Sequence, residues 1–201
     1  MKIFFVRHGQ TEGNTKQLMQ GGGSDAPLTE LGCEQAKELG KALRAVPFDV
    51  VYTSHQERAR KTASWIMAEN SYPPVETKVS RALREMDFGK YEAEPIQLFI
   101  KEGRFQLLMD EEKAHDIGAE TFADVTHRME KQLQEIVDSH VDNVLVVSHG
   151  MALLSILEVL FHASGQPMPE EVLRNASLSV VDIKDNIVKI LLFNHSFAKK
   201  E

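Results

Sequence analysis

The chain has a single cysteine, Cys33, among its 201 residues. No disulfide can form within it, and a reducing compartment is expected. Cys33 sits in a helix-like stretch with no base beside it, which marks it as packing and not as a nucleophile. Net positive charge is also lacking, since 30 Asp and Glu outweigh 23 Lys and Arg. The formal net charge of −7 argues against nucleic acid or an anionic membrane as a partner. Any anion site must therefore be built locally, from a few cations. Long hydrophobic runs are missing. The longest, near Met151–Phe161, is interrupted by Ser155 and Glu158 and is too short to span a bilayer. The apolar part of Met1–Arg7 is too short for a signal peptide, so a cytoplasmic protein is expected. Repeats and low-complexity stretches do not occur. Neither do a Gly-x-x-x-x-Gly-Lys loop, a Gly-x-Ser-x-Gly elbow, or His-x-x-x-His and Cys-x-x-Cys spacing. P-loop nucleotide binding, serine-hydrolase chemistry and zinc binding are left without support.

What is present is an alternation of strands and helices. Apolar runs predict strands over 3–6, 49–53, 75–79 and 144–147. Helical spacing predicts helices over 29–45 and 56–69, the first with Thr29 as N-cap and an apolar stripe of Leu31, Ala36, Leu39 and Leu43. The stripe Phe122, Val125, Met129, Leu133 and Ile136 predicts an amphipathic helix over 122–137, and a further helix is expected over 152–161. Residues 178–183 and 187–193 flank Lys184-Asp185-Asn186 and read as a hairpin. This order implies a three-layer α/β/α sandwich with a mostly parallel sheet and an antiparallel edge strand. One domain over residues 1–201 is expected. Residues 88–117 break the alternation, with aromatics among charges. They read equally as a helical lid over the site and as a surface excursion with its own small core.

Two strand ends carry the chemistry. Ile3-Phe4-Phe5-Val6 runs into Arg7-His8-Gly9-Gln10, and Val144–Val147 runs into Ser148-His149-Gly150. Side chains at the carboxyl ends of parallel strands converge on one crevice. Two histidines and an arginine on one rim suit an anion, phosphate above all. Phosphoryl transfer through histidine needs a neutral imidazole aimed at phosphorus, cations on the equatorial oxygens, and an acid for the leaving alkoxide. His8 can be the nucleophile, because imidazole with a pKa of about 6.5 is largely neutral at pH 7. Arg7 would depress that pKa and attract the phosphate. Gly9 would let the backbone approach an anion, with Thr11 and Asn14 as polar donors nearby. Taken alone, His149 reads equally as a core histidine; the pairing with His8 favours phosphate. Arg58, one turn into the helix after the second strand, reads on its own as part of a solvated face with Arg60 and Lys61. Glu85 is the candidate acid, since a carboxyl in a desolvated pocket facing a phosphate holds its proton more readily; Asp87 stays open beside it. An arginine directly before His8 would repel a dication, so neither metal nor other cofactor is expected.

These residues, with others in the same order, resemble the histidine phosphatase superfamily, the phosphoglycerate-mutase-like proteins. The resemblance is carried by Phe5–Thr11 with Asn14, Gln20-Gly21, Pro27-Leu28-Thr29, and Ser54 with Arg58-Ala59 and Thr62-Ala63. It continues through Leu83, Glu85, Phe88-Gly89 and Glu92, then Gly118–Thr121, Val147–Gly150 and Asn175-Ala176-Ser177. It implies a phosphohistidine at His8, Glu85 as general acid and base, and a phosphate pocket of Arg7, Arg58 and His149 helped by Asn14. The matched Gln20, Gly21 and Gly150 complete the expected phosphate-binding set. Met151 stands where the mutases of the family usually have asparagine, and the cations of 88–117 are separated where mutases have adjacent arginines. These departures favour a metal-independent phosphomonoesterase acting on a small phosphorylated metabolite. The alternatives are a phosphomutase and a non-catalytic phospholigand-binding domain. Tyr91 and Ala93 depart further, where the family often has tryptophan and glycine.

Overall fold

The computed structural model describes residues 1–197. Six strands form one sheet: β1 (Lys2–Arg7), β2 (Val50–Ser54), β3 (Thr77–Ser80), β4 (Asn143–Ser148), β5 (Leu178–Lys184) and β6 (Ile187–His195), in spatial order β3-β2-β4-β1-β5-β6. The first four of that order run parallel. The closing hairpin pairs β5 antiparallel to β1 and the edge strand β6 antiparallel to β5. β1 and β4 lie side by side at the centre, with Arg7 opposite Ser148. The residues that follow each strand, His8 and His149, therefore emerge together.

Strict alternation along these strands feeds two cores. Ile3, Phe5, Val144 and Val146 face α6 (Phe122–Asp138) and α7 (Gly150–Ser164), packing with Val125, Met129, Leu153 and Ile156. Phe4, Val6, Leu145 and Val147 face α2 (Glu30–Ala42) and α3 (Glu57–Ala68), packing with Ala36, Leu39, Ala59 and Ile66. Burial on both faces is why these strands read as continuous apolar runs. The α2 N-cap is Thr29, whose hydroxyl accepts from the Gly32 amide at 3.0 Å. Leu31 departs from the expected stripe and lies exposed in the first turn. The third strand begins at Thr77, two residues later than expected, because only β2 supplies a ladder for this edge strand and that ladder starts at Val51 opposite Thr77. No described helix is long and apolar enough to cross a membrane.

The segment 88–117 is helical in pieces: 3₁₀ turns at Gly89–Tyr91 and Arg104–Met109, α4 (Ile96–Lys101) and α5 (Glu111–Asp116). Phe99 is fully buried, with the rings of Phe88, Tyr91 and Phe105 packed edge-on at 6.0, 5.7 and 4.8 Å. The segment is fastened to the loop after α1 (Glu12–Thr15) by backbone bonds, Met19 N to Glu94 O at 2.8 Å and Ala93 N to Met19 O at 2.9 Å. Ala93 holds φ of 64°, the left-handed region that an alanine occupies at a cost of about 1–2 kcal/mol. Ala93→Gly is expected to raise stability by about 0.5–1 kcal/mol, the strain relieved less the added chain entropy. A urea midpoint that falls in this variant would contradict the reading.

Candidate active site

His8 is 3% exposed and is held through its backbone: its amide donates to Ser148 O at 3.0 Å, and its carbonyl accepts from the amide of Ala176 at 3.1 Å and from Asn175 Nδ2 at 3.1 Å. The His8 Nδ1 lies 2.8 Å from the Gly9 carbonyl, an acceptor, so Nδ1 carries the proton of the neutral ring and Nε2 keeps its lone pair. Burial, then the charges of Arg7 and Arg58, push the His8 pKa well below the ordinary imidazole range. The ring is thus neutral throughout the physiological range, with an Nε2 lone pair available. Gly9 is also confined by packing. A Cβ there would lie 2.4 Å from the Gly32 carbonyl, and its amide donates to Thr62 Oγ1 at 3.0 Å. Glycine is required so that the loop can close onto α2.

His149, fully buried, is the N-cap of α7, and its ring centroid lies 5.2 Å from that of His8. Its Nδ1 accepts from Arg58 Nε at 3.2 Å, which places the proton of the neutral ring on Nε2. Burial and the adjacent Arg58 push this pKa well down too. Arg58 is 1% exposed, not on a solvated face. Its guanidinium donates to Ser24 O, to Asp25 Oδ1 at 3.2 Å and to Gly21 O at 3.3 Å. Gly21 therefore enters the site as a carbonyl that holds Arg58. Arg7 donates from Nη1 to the Leu173 carbonyl. Four buried side-chain atoms among the described residues lack a hydrogen-bond partner, Ser24 Oγ and His55 Nδ1 and, at this site, Arg7 Nε and His149 Nε2. Two unpaired donors of this kind near the His8 ring are chemically suited to an oxyanion.

Glu85 is 6% exposed and lies at the N-terminus of α7. Its Oε1 accepts from the amides of Met86 at 2.9 Å and Ala152 at 3.0 Å, and its Oε2 from that of Met151 at 3.2 Å. A Cβ on Gly150 would stand 3.5 Å from Glu85 Oε2 and 3.6 Å from Arg7 Nε, so carboxylate and guanidinium converge on that glycine. Asp87, the open alternative, instead accepts from the Gly89 amide at 2.8 Å and does not line the pocket. Arg7, His8, Asn14, Gln20, Glu85 and Gly150 all line one pocket of about 200 Å³. Asn14 caps α1 reciprocally with Thr11 and accepts from Asn175 Nδ2 at 3.1 Å; Gln20 Oε1 accepts from Thr11 Oγ1 at 2.9 Å. Both amides are thus oriented by one small network. Among the described residues, no three histidine, cysteine, aspartate or glutamate side chains come together so as to hold a metal ion.

Four further residues shape the site. Gln56 donates to Gly21 O at 2.9 Å and Ser24 O at 3.0 Å, while its Oε1 accepts from the Glu85 amide at 2.9 Å. Asp25 pairs with Arg58. Arg128 donates to the carbonyls of Ala82, Arg84 and Glu85 and is itself held by Glu120. Gln56 lies two residues past the end of β2, so the rule that marks His8 selects His55 in its place. Arg128 carries no local signal, because its backbone partners lie 43 to 46 positions away in the chain.

Both histidines predict a pH dependence of stability. Their folded pKa values lie below the unfolded value of about 6.5. As pH falls through about 6.5 the unfolded chain takes up protons that the folded chain refuses. Stability is therefore full above that pH and is lost progressively down to the folded pKa values, with a slope of up to about 1.4 kcal/mol per pH unit for each ring. Urea midpoints measured from pH 7.5 to 5 check this; a midpoint that rises toward pH 5 would contradict it.

Two buried histidines, the buried Arg58 and the half-buried Arg7 thus meet at the carboxyl end of a mixed α/β sheet. The family model of the histidine phosphatase superfamily (branch 1) matches residues 3–196. A broad-specificity phosphatase of Saccharomyces cerevisiae is 32% identical over 193 residues, spanning 92% of this chain and 81% of the relative. A 2,3-bisphosphoglycerate-dependent phosphoglycerate mutase of Brucella ovis is 31% identical over 186 residues, spanning 86% and 85%. The solved alpha-ribazole phosphatase of Shigella flexneri superposes with a TM-score of 0.79 at 26% identity, covering 100% of both chains. The chain belongs to the histidine phosphatase superfamily.

Proposed function

We propose that the protein is a metal-independent phosphomonoesterase that works through a phosphohistidine at His8. The observation that carries this reading is the His8 ring itself, buried, neutral and turned so that Nε2 is free, with Arg7 Nε and His149 Nε2 left as donors beside it. His8 Nε2 attacks phosphorus as the bond to the leaving oxygen breaks. Arg7, Arg58 and His149 hold the equatorial oxygens, where the transition-state charge resides. Glu85 gives a proton to the leaving alkoxide, then accepts one from the water that cleaves the nitrogen–phosphorus bond. The Gly9 carbonyl keeps the ring aimed through both steps.

Hydrolysis is favoured over mutase chemistry by the lining of the pocket, where Arg7 is the one arginine or lysine among the described residues. A carboxylated phosphate would meet no cation of its own. Relatives of both kinds match the chain, so the partition must be measured. With 3-phosphoglycerate and a bisphosphoglycerate primer, free phosphate without 2-phosphoglycerate is the expected outcome; conversion to 2-phosphoglycerate would establish the mutase. Binding without turnover across a broad phosphomonoester panel would instead revive a ligand-binding role. EDTA dialysis is expected to leave the hydrolysis rate unchanged, and a loss restored by a divalent cation would refute the metal-free mechanism.

A further inference from the structure

The pocket extends away from the phosphate donors into an apolar half, walled by Leu18, Phe88, Ile96, Phe105, Met151 and Leu154. Behind Phe105 and Met151 lies a second cavity of about 180 Å³, which those two residues also line. The cations of the 88–117 segment do not reach this space. Arg104 pairs with Glu94 and Glu102 and stacks 4.1 Å from the Tyr91 ring centre. Lys113 pairs with Asp110, and Lys90 lies over Tyr91. Arg7 reaches it only as the guanidinium tied to Leu173 beside His8. The remaining formal charge on the lining is negative. Glu85 stands at the phosphate end, and the exposed Glu171 stands at the wall, its Oε2 accepting from Asn194 Nδ2 at 3.0 Å. Glu171 also borders a neighbouring groove that carries Glu158 and Glu170.

We infer that the alcohol esterified to the phosphate is uncharged and largely apolar, an aryl or alkyl group, and that Glu171 turns carboxylated substrates away. The inference rests on the phosphomonoesterase reading for its phosphate end. An apolar group gains by leaving water for this pocket. A carboxylate entering it would lose hydration against apolar side chains, with the Glu171 carboxylate at the wall and no cation beyond the one at the phosphate end. Phe105 and Met151 set the depth, since they stand between this space and the second cavity.

Binding separates the pocket from the chemistry. The intact protein is titrated with benzylphosphonate and with 4-carboxybenzylphosphonate, neither of which can be hydrolysed. The uncharged ligand is expected to bind about tenfold tighter or more. In Glu171→Lys, a surface change, the ratio is expected to shrink several-fold toward unity. Equal or tighter binding of the carboxylated ligand to the unmodified protein would overturn the inference, and an unmoved ratio in Glu171→Lys would overturn the part given to Glu171. Hydrolysis of phenyl phosphate is measured alongside. If it fails while the phosphonate preference stands, the phosphomonoesterase reading falls and the apolar pocket survives.

Discussion

His8→Ala is expected to lower kcat/KM by about 10⁴-fold or more, with the fold intact. The size follows from the role. No other side chain lining the pocket offers a neutral, partnerless ring nitrogen, since Asn14 and Gln20 are amides and Arg7 is a cation. His149 cannot substitute, because its Nδ1 accepts from Arg58 and its Nε2 carries the proton. The variant keeps Arg7, Arg58 and His149, so inorganic phosphate should still bind within about tenfold of the parent. Removing His8 also removes one of the two rings whose charging opposes folding in acid. The loss of stability between pH 7 and 5 should therefore be shallower than in the parent. A variant that retains a tenth or more of the parent activity would leave the phosphohistidine without support.

Glu85→Gln is expected to lower kcat on alkyl phosphates by about 10²- to 10⁴-fold, and much less on p-nitrophenyl phosphate. An alkoxide needs a proton as it leaves; a nitrophenolate does not. Glutamine cannot deliver that proton, and it fits the site imperfectly. Both oxygens of Glu85 accept from amides, those of Met86 and Ala152 on one and that of Met151 on the other. A glutamine has one acceptor, so its NH₂ must face an amide that previously had a partner, at a cost of about 1–3 kcal/mol in stability. The contrast between the two leaving groups distinguishes proton transfer from mere disturbance of the α7 N-terminus. Equal losses on both substrates would assign Glu85 to positioning.

The parts of this site that are legible in the sequence are those whose meaning is local. Strand ends need only an apolar run and the residue after it, which is why His8 and His149 stand out together; that β1 and β4 are direct neighbours comes from the structure. The β5–β6 hairpin follows from turn chemistry at Asp185 and Asn186, both in the left-handed region. Arg58 is ambiguous for a physical reason. A helix-face arginine looks solvated until Gly21, Ser24 and Asp25, from 33 to 37 positions earlier, close over it. Glu85 depends likewise on amides 66 and 67 positions later. At Gly9 the structure adds a constraint that the sequence does not show, since a Cβ there would meet the Gly32 carbonyl. The 88–117 segment has no core of its own: Phe88, Phe99 and Leu108 join the main core with Ile3, Phe5, Val144 and Val146. Phe88 also lines the pocket, with Ile96 and Phe105. Closure of that segment over substrate is a proposal that its helical pieces permit.

The central claim is a covalent phosphoryl group on His8. Rapid acid-free quenching after mixing with a labelled phosphomonoester tests it directly, with the protein digested in base and the labelled peptide mapped. The account predicts label on His8, stable in alkali and lost in acid, appearing no more slowly than turnover and absent from His8→Ala. Label on a serine, an aspartate or a different histidine, or steady turnover with no labelled protein at any time, would contradict it.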